Sequence, residues 1–343
     1  MRGCYWRFSD WHNEKLANSA LLTNISAMEV ITFEPLYMER LWGGRALEMI
    51  YGRSLPTPDV PFGEAWEIVD REDAQSVVSG GKFSGMTLHE LWRDRREEIF
   101  GGGLPLSDRF PLLIKILDSA DDLSIQVHPP AAIAGQLGGE PKTEMWFIAD
   151  AKPGAKLYVG LRKGATRESF ECAIVEGTVA EQVHAITPGK GDSIFIESGR
   201  LHAIGAGFLI HEIQQNSDTT YRVFDWNRTD SAGKPRQLHV EESLACIDFG
   251  DAEPGMDTQG GAASCCPTTL ATCPYFNTTL HDLAAGDIIS NPHPDRFSLI
   301  TVVSGSLENT HNAGCTVLLP RTANGLAATA QTKVLQITIP GKL

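Results

Sequence analysis

Four side chains, scattered along the sequence, are of the types that hold a divalent metal. Gln126 and His128 stand two residues apart in Ser124-Ile125-Gln126-Val127-His128-Pro129-Pro130. In a strand alternate side chains share a face, so these two point one way while Ile125 and Val127 point the other. Lys142-Thr143-Glu144 offers a carboxylate, and Gly199-Arg200-Leu201-His202-Ala203-Ile204-Gly205 a second imidazole. An amide oxygen, a carboxylate and two imidazoles make a mixed oxygen and nitrogen set that suits a divalent cation and leaves positions open for substrate. His202 sits in a Gly-rich segment that lets backbone pass close to a ligand. His12, His89, His184, His239, His281, His293 and His311 stand in no such context.

A second stretch, Glu212-Ile213-Gln214-Gln215-Asn216-Ser217-Asp218-Thr219-Thr220-Tyr221-Arg222, is crowded with hydrogen-bonding groups. Burying such groups unpaired costs roughly 1 to 3 kcal/mol each. The sequence therefore reads either as a solvated edge hairpin or as a wall for sugar hydroxyls. In the second reading Ser217 and Asp218 touch substrate and Arg222 faces an anion in a bidentate manner.

Positioning these residues falls to short alternating runs separated by Gly, Pro and Asp, the pattern of a β sandwich or jelly roll. Met28-Glu29-Val30-Ile31-Thr32-Phe33 opens the first run, and Pro111 to Leu117 is an apolar strand leading into the metal-binding stretch. Two helical inserts interrupt the pattern. Thr87 to Phe100 carries apolar residues at helical spacing behind a Thr87/Glu90 capping box, and Thr166 to Gln182 forms the second. Further strands are expected at His184 to Ile186, Asp192 to Glu197, Phe208 to Gln214 and Tyr221 to Trp226, with a short helix over His239 to Cys246. Gly-Asp turns recur in both halves, as a duplicated β unit would show. The expected organisation is an N-terminal extension over residues 1–27, a catalytic domain over 28–250, a Gly/Asp/Pro-rich linker over 251–267, and a second jelly roll over 268–343 without a metal site. The extension carries none of the chemical motifs and is expected to be dispensable.

Composition narrows the function further. A chain of 343 residues is long enough for two domains. With 29 basic and 43 acidic side chains the net charge is -14, which disfavours nucleic acid and anionic membrane surfaces as partners. An anionic substrate must then meet a local gathering of cations. Seven Cys without regular spacing read as reduced thiols of a cytoplasmic protein. No apolar run reaches the roughly 18 residues that span a bilayer. The sequence is silent on oligomeric state.

Gln126-Val127-His128-Pro129, Lys142-Thr143-Glu144, Leu201 to Gly205 and Glu212 to Arg222 resemble, in order and spacing, the motifs of type I mannose-6-phosphate isomerases. Trp42-Gly43-Gly44 and Trp66-Glu67 resemble that family's early motifs, and its short bacterial branch is similar to residues 28–343. The resemblance implies a mostly β fold of two cupin-type jelly rolls with a few helical inserts. It also implies one zinc, Zn2+, held by Gln126, His128, Glu144 and His202, and interconversion of mannose 6-phosphate and fructose 6-phosphate. Arg222 matches the family's active-site arginine, Lys142 the lysine before the ligand glutamate, and Trp42 a substrate-contacting position. Pro130 stands where the family often has an acidic residue.

Such an isomerisation needs a Lewis acid, a base over the carbon and a cation near the developing oxyanion of a cis-enediolate. Glu212 and Lys142 are the candidate bases, and Arg222 or Lys142 the cation. Arg222, Lys142, Arg228 and Lys234 are the nearest supply of positive charge for phosphate. Two other classes remain: an iron-dependent cupin oxygenase, which would usually show His-x-His, and a non-catalytic sugar-binding or regulatory cupin, which would lose the metal or Lys142.

Overall fold

A computed structural model of the chain describes residues 27–229, 233–256 and 267–341. The expected extension and much of the expected linker lie outside these residues. The described chain is mostly β, and three antiparallel sheets carry its architecture. One six-stranded sheet runs in the order Ser193–Ile196, Glu144–Ala151, Phe208–Gln215, Leu112–Ser119, Leu36–Gly44 and Phe62–Ile68. A five-stranded sheet of Val183–Ile186, Leu157–Leu161, His202–Ile204, Ile125–Val127 and Tyr221–Phe224 lies against it. Trp146, Ile148, Ile194 and Ile210 of the first share one apolar cluster with Leu157, Val159 and Ile204 of the second.

The third sheet orders Ile31–Thr32, Thr316–Leu319, Ser298–Ser304, Thr332–Thr338, Asn277–Leu283 and Thr268–Thr272. Its first strand comes from the start of the described chain: Ile31 pairs with Leu318 and Thr32 with Val317. The first strand of the described residues thus belongs to a sheet otherwise built from residues 268–338. Period-two alternation explains how the first sheet serves two neighbours at once. Ile114, Met145, Phe147 and Ile213 pack with Leu299, Leu318, Leu335 and Ile337 of the third sheet. Their neighbours Lys115, Glu144, Trp146 and Glu212 point to the opposite face.

The helical inserts follow their local signals. Leu88–Asp94 starts at Thr87, whose hydroxyl accepts the Glu90 N–H while the Glu90 carboxylate accepts the Thr87 N–H, and it buries Leu88, Leu91 and Trp92. The helix breaks at Arg95 and resumes as Arg96–Ile99. Arg167–Glu176 ends on Gly177 at φ 72, the left-handed cap that glycine adopts without a Cβ penalty. A helix at Ala46–Tyr51 carries no periodic signal of its own. It is held by Asp118, whose carboxylate accepts the Ala46 N–H at 2.5 Å. Gly43 is needed for contact: a Cβ there would lie 2.3 Å from the Gly63 backbone nitrogen.

Within the otherwise apolar seam between the first and third sheets sits a small polar cluster. Arg53 forms an ion pair with Glu67 at 2.7 Å and donates to the Gly314 carbonyl at 2.5 Å, tying the two sheets. His211, fully buried, meets the Tyr51 hydroxyl through Nε2 at 2.8 Å. Burial, with the positive charge of Arg53 adding to it, drops the His211 imidazole to about 3.

Two outcomes are expected. Removing residues 267–343 uncovers Ile114, Met145, Phe147 and Ile213, so the truncated chain should be insoluble or unfolded by circular dichroism; a soluble, cooperatively melting fragment would contradict this packing. The second outcome concerns acid. The unfolded chain protonates His211 near 6.5 and the folded chain only near 3, so stability from this group is present above pH 6.5 and is lost as pH falls through that window. Between pH 7 and pH 5 the share is about 2 kcal/mol. His211→Gln should flatten the change in urea midpoint between those two pH values.

Candidate active site and metal centre

The three titratable residues expected to hold a metal come together. His128 and His202 arrive from the five-stranded sheet and its edge, and Glu144 from the first residue of its own strand on the facing sheet. Their donor atoms lie within 4.8 Å of one another, and it is the one such group found among the described residues. His128 Nε2 is 3.6 Å from Glu144 Oε2, and His202 Nε2 is 3.6 Å from Glu144 Oε1. The sharing of a face by Gln126 and His128 is as the strand period requires: Ile125 and Val127 go into an apolar cluster on the other side. His202 is directly opposite Gln126 in the antiparallel register.

The chemistry of this cluster fits a cation. His128, Glu144 and His202 are buried, and neither His128 Nε2 nor Glu144 Oε1 has a hydrogen-bond partner. Leaving buried lone pairs unmatched is expensive, unless a metal takes them. His202 Nδ1 lies 2.9 Å from the Arg200 carbonyl, which fixes the tautomer with Nε2 bare, the arrangement typical of a ligating histidine. Burial, joined by the Lys142 charge, holds His128 well below its ordinary value, and burial takes His202 to about 4, so both imidazoles are neutral at pH 7. Gln126 presents Nε2 to His202 Nε2 at 3.3 Å, so offering its oxygen requires a half-turn of the amide.

Above the cluster opens a basin of about 420 Å³. Gln126, Lys142, Glu212, Asp218, Arg222 and Trp42, all expected from the sequence, line it. Lys142 Nζ is 3.2 Å from Glu144 Oε2. Although burial opposes it, the carboxylates of Glu144, Glu212 and Asp218 hold the Lys142 ammonium above its ordinary range, so it is a cation and not a free amine. Glu212 is the converse. Burial, then the nearby Glu144 charge, pushes its carboxyl upward. Its Oε2 accepts the Trp146 indole N–H at 3.0 Å, while Oε1 accepts no hydrogen bond and faces the Lys115 ammonium at 3.8 Å.

Several expected residues lie elsewhere. Ser217 is buried away from the basin, with its hydroxyl donating to the Glu140 carbonyl and accepting the Thr219 N–H. Gln214 donates to the Gln215 and Ser217 carbonyls, and Asn216 to those of Asp70 and Phe110. Much of the polar stretch therefore folds its own loop, and only Glu212, Asp218, Thr220 and Arg222 face the basin. Arg228 is engaged by Asp121 and Asp225, and Lys234 is not in the lining.

The basin also contains residues that the sequence reading passed over. Lys115, only 3% exposed, lies 3.7 Å from Glu64, 3.8 Å from Glu212 and 3.8 Å from Asp218, with its ammonium 4.8 Å from the centre of the Trp66 ring. Glu64 is gripped by the Arg40 guanidinium at 3.0 and 3.3 Å and by the Trp66 indole N–H. Burial would raise its carboxyl, yet Lys115 and Arg40 hold it down at about 2. Arg236 completes the wall beside Arg222. The available signal was a lone lysine in the apolar run Pro111 to Leu117, since a charge in a strand buried on both faces must be paired.

A mostly β, cupin-like scaffold with a buried His/Glu/His cluster beneath a basin of acids and cations defines the chain as an enzyme with a candidate metal site. A family model described as phosphomannose isomerase type I, catalytic domain, matches residues 30–141. The chain is 38% identical over 284 residues to mannose-6-phosphate isomerase ManA of Bacillus subtilis, covering 81% of this chain and 86% of that protein. It is 35% identical to the mannose-6-phosphate isomerase of Streptococcus mutans, over 79% and 85% of the two chains. The crystal structure of the mannose 6-phosphate isomerase from Bacillus subtilis superposes with a TM-score of 0.79 at 31% identity, covering 91% of this chain and all of that one. The chain belongs to the type I phosphomannose isomerase family.

If these residues hold the cation, His202→Ala and Glu144→Ala should each lose bound metal by elemental analysis of purified protein. Full stoichiometry in both variants would overturn the ligand set.

Proposed function

We propose that the chain interconverts mannose 6-phosphate and fructose 6-phosphate at this basin, with a zinc ion held by His128, Glu144, His202 and the amide oxygen of Gln126. The observation that carries the reading is the convergence of unpartnered metal-type donors with a basin of acids and cations, in a chain more than one third identical to named mannose-6-phosphate isomerases over most of its length. The donor set of two imidazoles, a carboxylate and an amide oxygen suits zinc. When bound, the ion supplies Lewis acidity to a sugar oxygen.

The residues divide the remaining work. Glu212 Oε1 takes the proton from C2 of the aldose and returns it to C1, passing through a cis-enediolate, while the O2 hydroxyl proton moves to O1. Its raised basicity and an oxygen that accepts no hydrogen bond suit it better than Lys142, which its neighbours keep charged. Lys142 and Lys115 hold positive charge beside the oxygens where negative charge develops. Asp218 and Trp42 shape the wall around the sugar. Arg222 and Arg236 receive the phosphate. Arg222 Nε donates to Ser124 Oγ at 3.1 Å and Nη1 to the Gln237 carbonyl at 2.9 Å, so its guanidinium is held in place before a ligand arrives.

The catalytic unit is taken to be the first two sheets, within residues 28–250, as one cupin-type jelly roll. Residues 268–343, with Ile31–Thr32 added to their sheet, form the second. No helix among the described residues is long and apolar enough to cross a membrane, and with the net charge of -14 and reduced thiols we place the enzyme in the cytoplasm.

A coupled assay with mannose 6-phosphate, before and after chelation and on re-addition of zinc, tests the reading; turnover that survives removal of all metal would refute its metal dependence. Glu212→Gln should lower kcat about 10² to 10⁴ with KM little changed. Arg222→Ala should keep its metal and raise KM about 10²-fold, with partial recovery in Arg222→Lys because a point charge replaces a planar fork poorly.

A further inference from the structure

The segment that follows Arg222 makes a turn its residue types do not favour. Trp226 and Asn227 both lie in the left-handed region, at φ 56 and 55, and the turn is closed by the Arg228 N–H on the Asp225 carbonyl at 3.0 Å. Asparagine tolerates that region, whereas a tryptophan there is an outlier, because its Cβ crowds the following carbonyl. Glycine would relieve the strain but would bring no side chain.

What the side chain does is specific. The Trp226 indole N–H donates to the Leu123 carbonyl at 2.7 Å, and the ring packs on Tyr158 and Phe224 with centroids 5.1 and 5.8 Å away. Two residues on, Arg228 reaches the same loop at Asp121 Oδ2, 3.1 Å, while its other nitrogen holds Asp225 at 2.7 Å. From the opposite side the Leu123 N–H donates to the Ile204 carbonyl at 2.8 Å. Leu123 is thus fixed through both its backbone groups. The next residue, Ser124, is the one whose hydroxyl accepts from Arg222 Nε, and Leu123, Ser124 and Arg222 are all in the basin wall.

We propose that Trp226 is a positioning residue for Arg222: the strained turn locks Leu123 and Ser124 so that Ser124 holds the guanidinium where it meets the phosphate. This rests on the reading of Arg222 given above. Trp226 itself touches no substrate, since it lies behind the wall and acts through the Leu123 carbonyl.

The test is a double-mutant cycle on metal-loaded protein, with Trp226→Phe, Arg222→Ala and both together. Trp226→Phe keeps an aromatic ring against Tyr158 and Phe224 while removing the indole donor and some of the ring's bulk. It should raise KM for mannose 6-phosphate about tenfold with kcat within about threefold, because misplacing a binding group by a fraction of an ångström costs on this scale. In the Arg222→Ala background the same change should alter KM less than about twofold, since the two act on one contact. Calorimetric titration with inorganic phosphate should show the same tenfold weakening and the same non-additivity, and this readout does not need turnover. An unchanged KM and phosphate affinity in Trp226→Phe, or an equal loss with and without Arg222, would overturn the proposal by making Trp226 irrelevant or merely structural. Absence of turnover in the parent enzyme, with the phosphate cycle still non-additive, would instead refute the isomerase reading and leave the positioning role standing. Should Trp226→Phe not fold by circular dichroism, Ser124→Ala breaks the next link and must give the same phosphate result; normal phosphate affinity in that variant would equally sink the idea.

Discussion

The whole arrangement depends on one sheet being buried on both faces. In the strand Phe208–Gln215, Glu212 points into the basin while its neighbours His211 and Ile213 point into the seam with the third sheet. Leu112–Ser119 repeats the pattern, with Lys115 toward the basin and Ile114 toward the seam. A one-residue slip in register would exchange every such pair, sending carboxylates into the apolar seam and apolar groups into the basin. The C-terminal sheet is therefore more than an appendage. It supplies the apolar partner that fixes which way each side chain of the basin faces.

Burial also sets the electrostatics. Around the floor of the basin Glu64, Glu144, Glu212 and Asp218 face Arg40, Lys115 and Lys142, which leaves one negative charge in excess when both imidazoles are neutral. A divalent cation reverses that sign. Arg222 and Arg236 then extend a positive field toward the mouth, even though the protein as a whole carries a net charge of -14. Asp225 tempers it by pairing with Arg228 and Arg236. A site so built would attract an anion more strongly with a cation bound, because the excess carboxylate would otherwise repel it.

What the sequence revealed follows from which signals are local. The Gln126/His128 pair is readable because a strand period of two is a local property, and the Thr87/Glu90 box because capping spans three residues. Glu144 and His202 were found by residue type and motif, and only the fold shows them 3.6 Å apart. Lys115 was passed over because its partners, Glu64 and Asp218, lie about 50 and 100 positions away, and nothing adjacent marks it. Ser217 misled for the complementary reason. A run of polar residues looks like a ligand wall, but a loop that crosses a buried region needs the same groups to satisfy its own carbonyls. The start of the chain shows the same limit: Ile31–Thr32 reads as a strand, while its pairing with Thr316–Leu319 is a matter of tertiary structure.

The C-terminal sheet puts burial to a different use. Ile300, Val302, Val317, Leu319, Leu326 and Val334 form an apolar cluster of their own. Four of its polar groups link in a row: Gln336 donates to the Ser290 carbonyl and to Ser298, which donates to Asn291, which donates to the Pro320 carbonyl. A chain of hydrogen bonds satisfied in this way is rigid, whereas Glu144 Oε1 is buried without one. Burial thus brings metal-type donors together in one place among the described residues, at His128, Glu144 and His202, where imidazoles and a carboxylate converge from facing sheets.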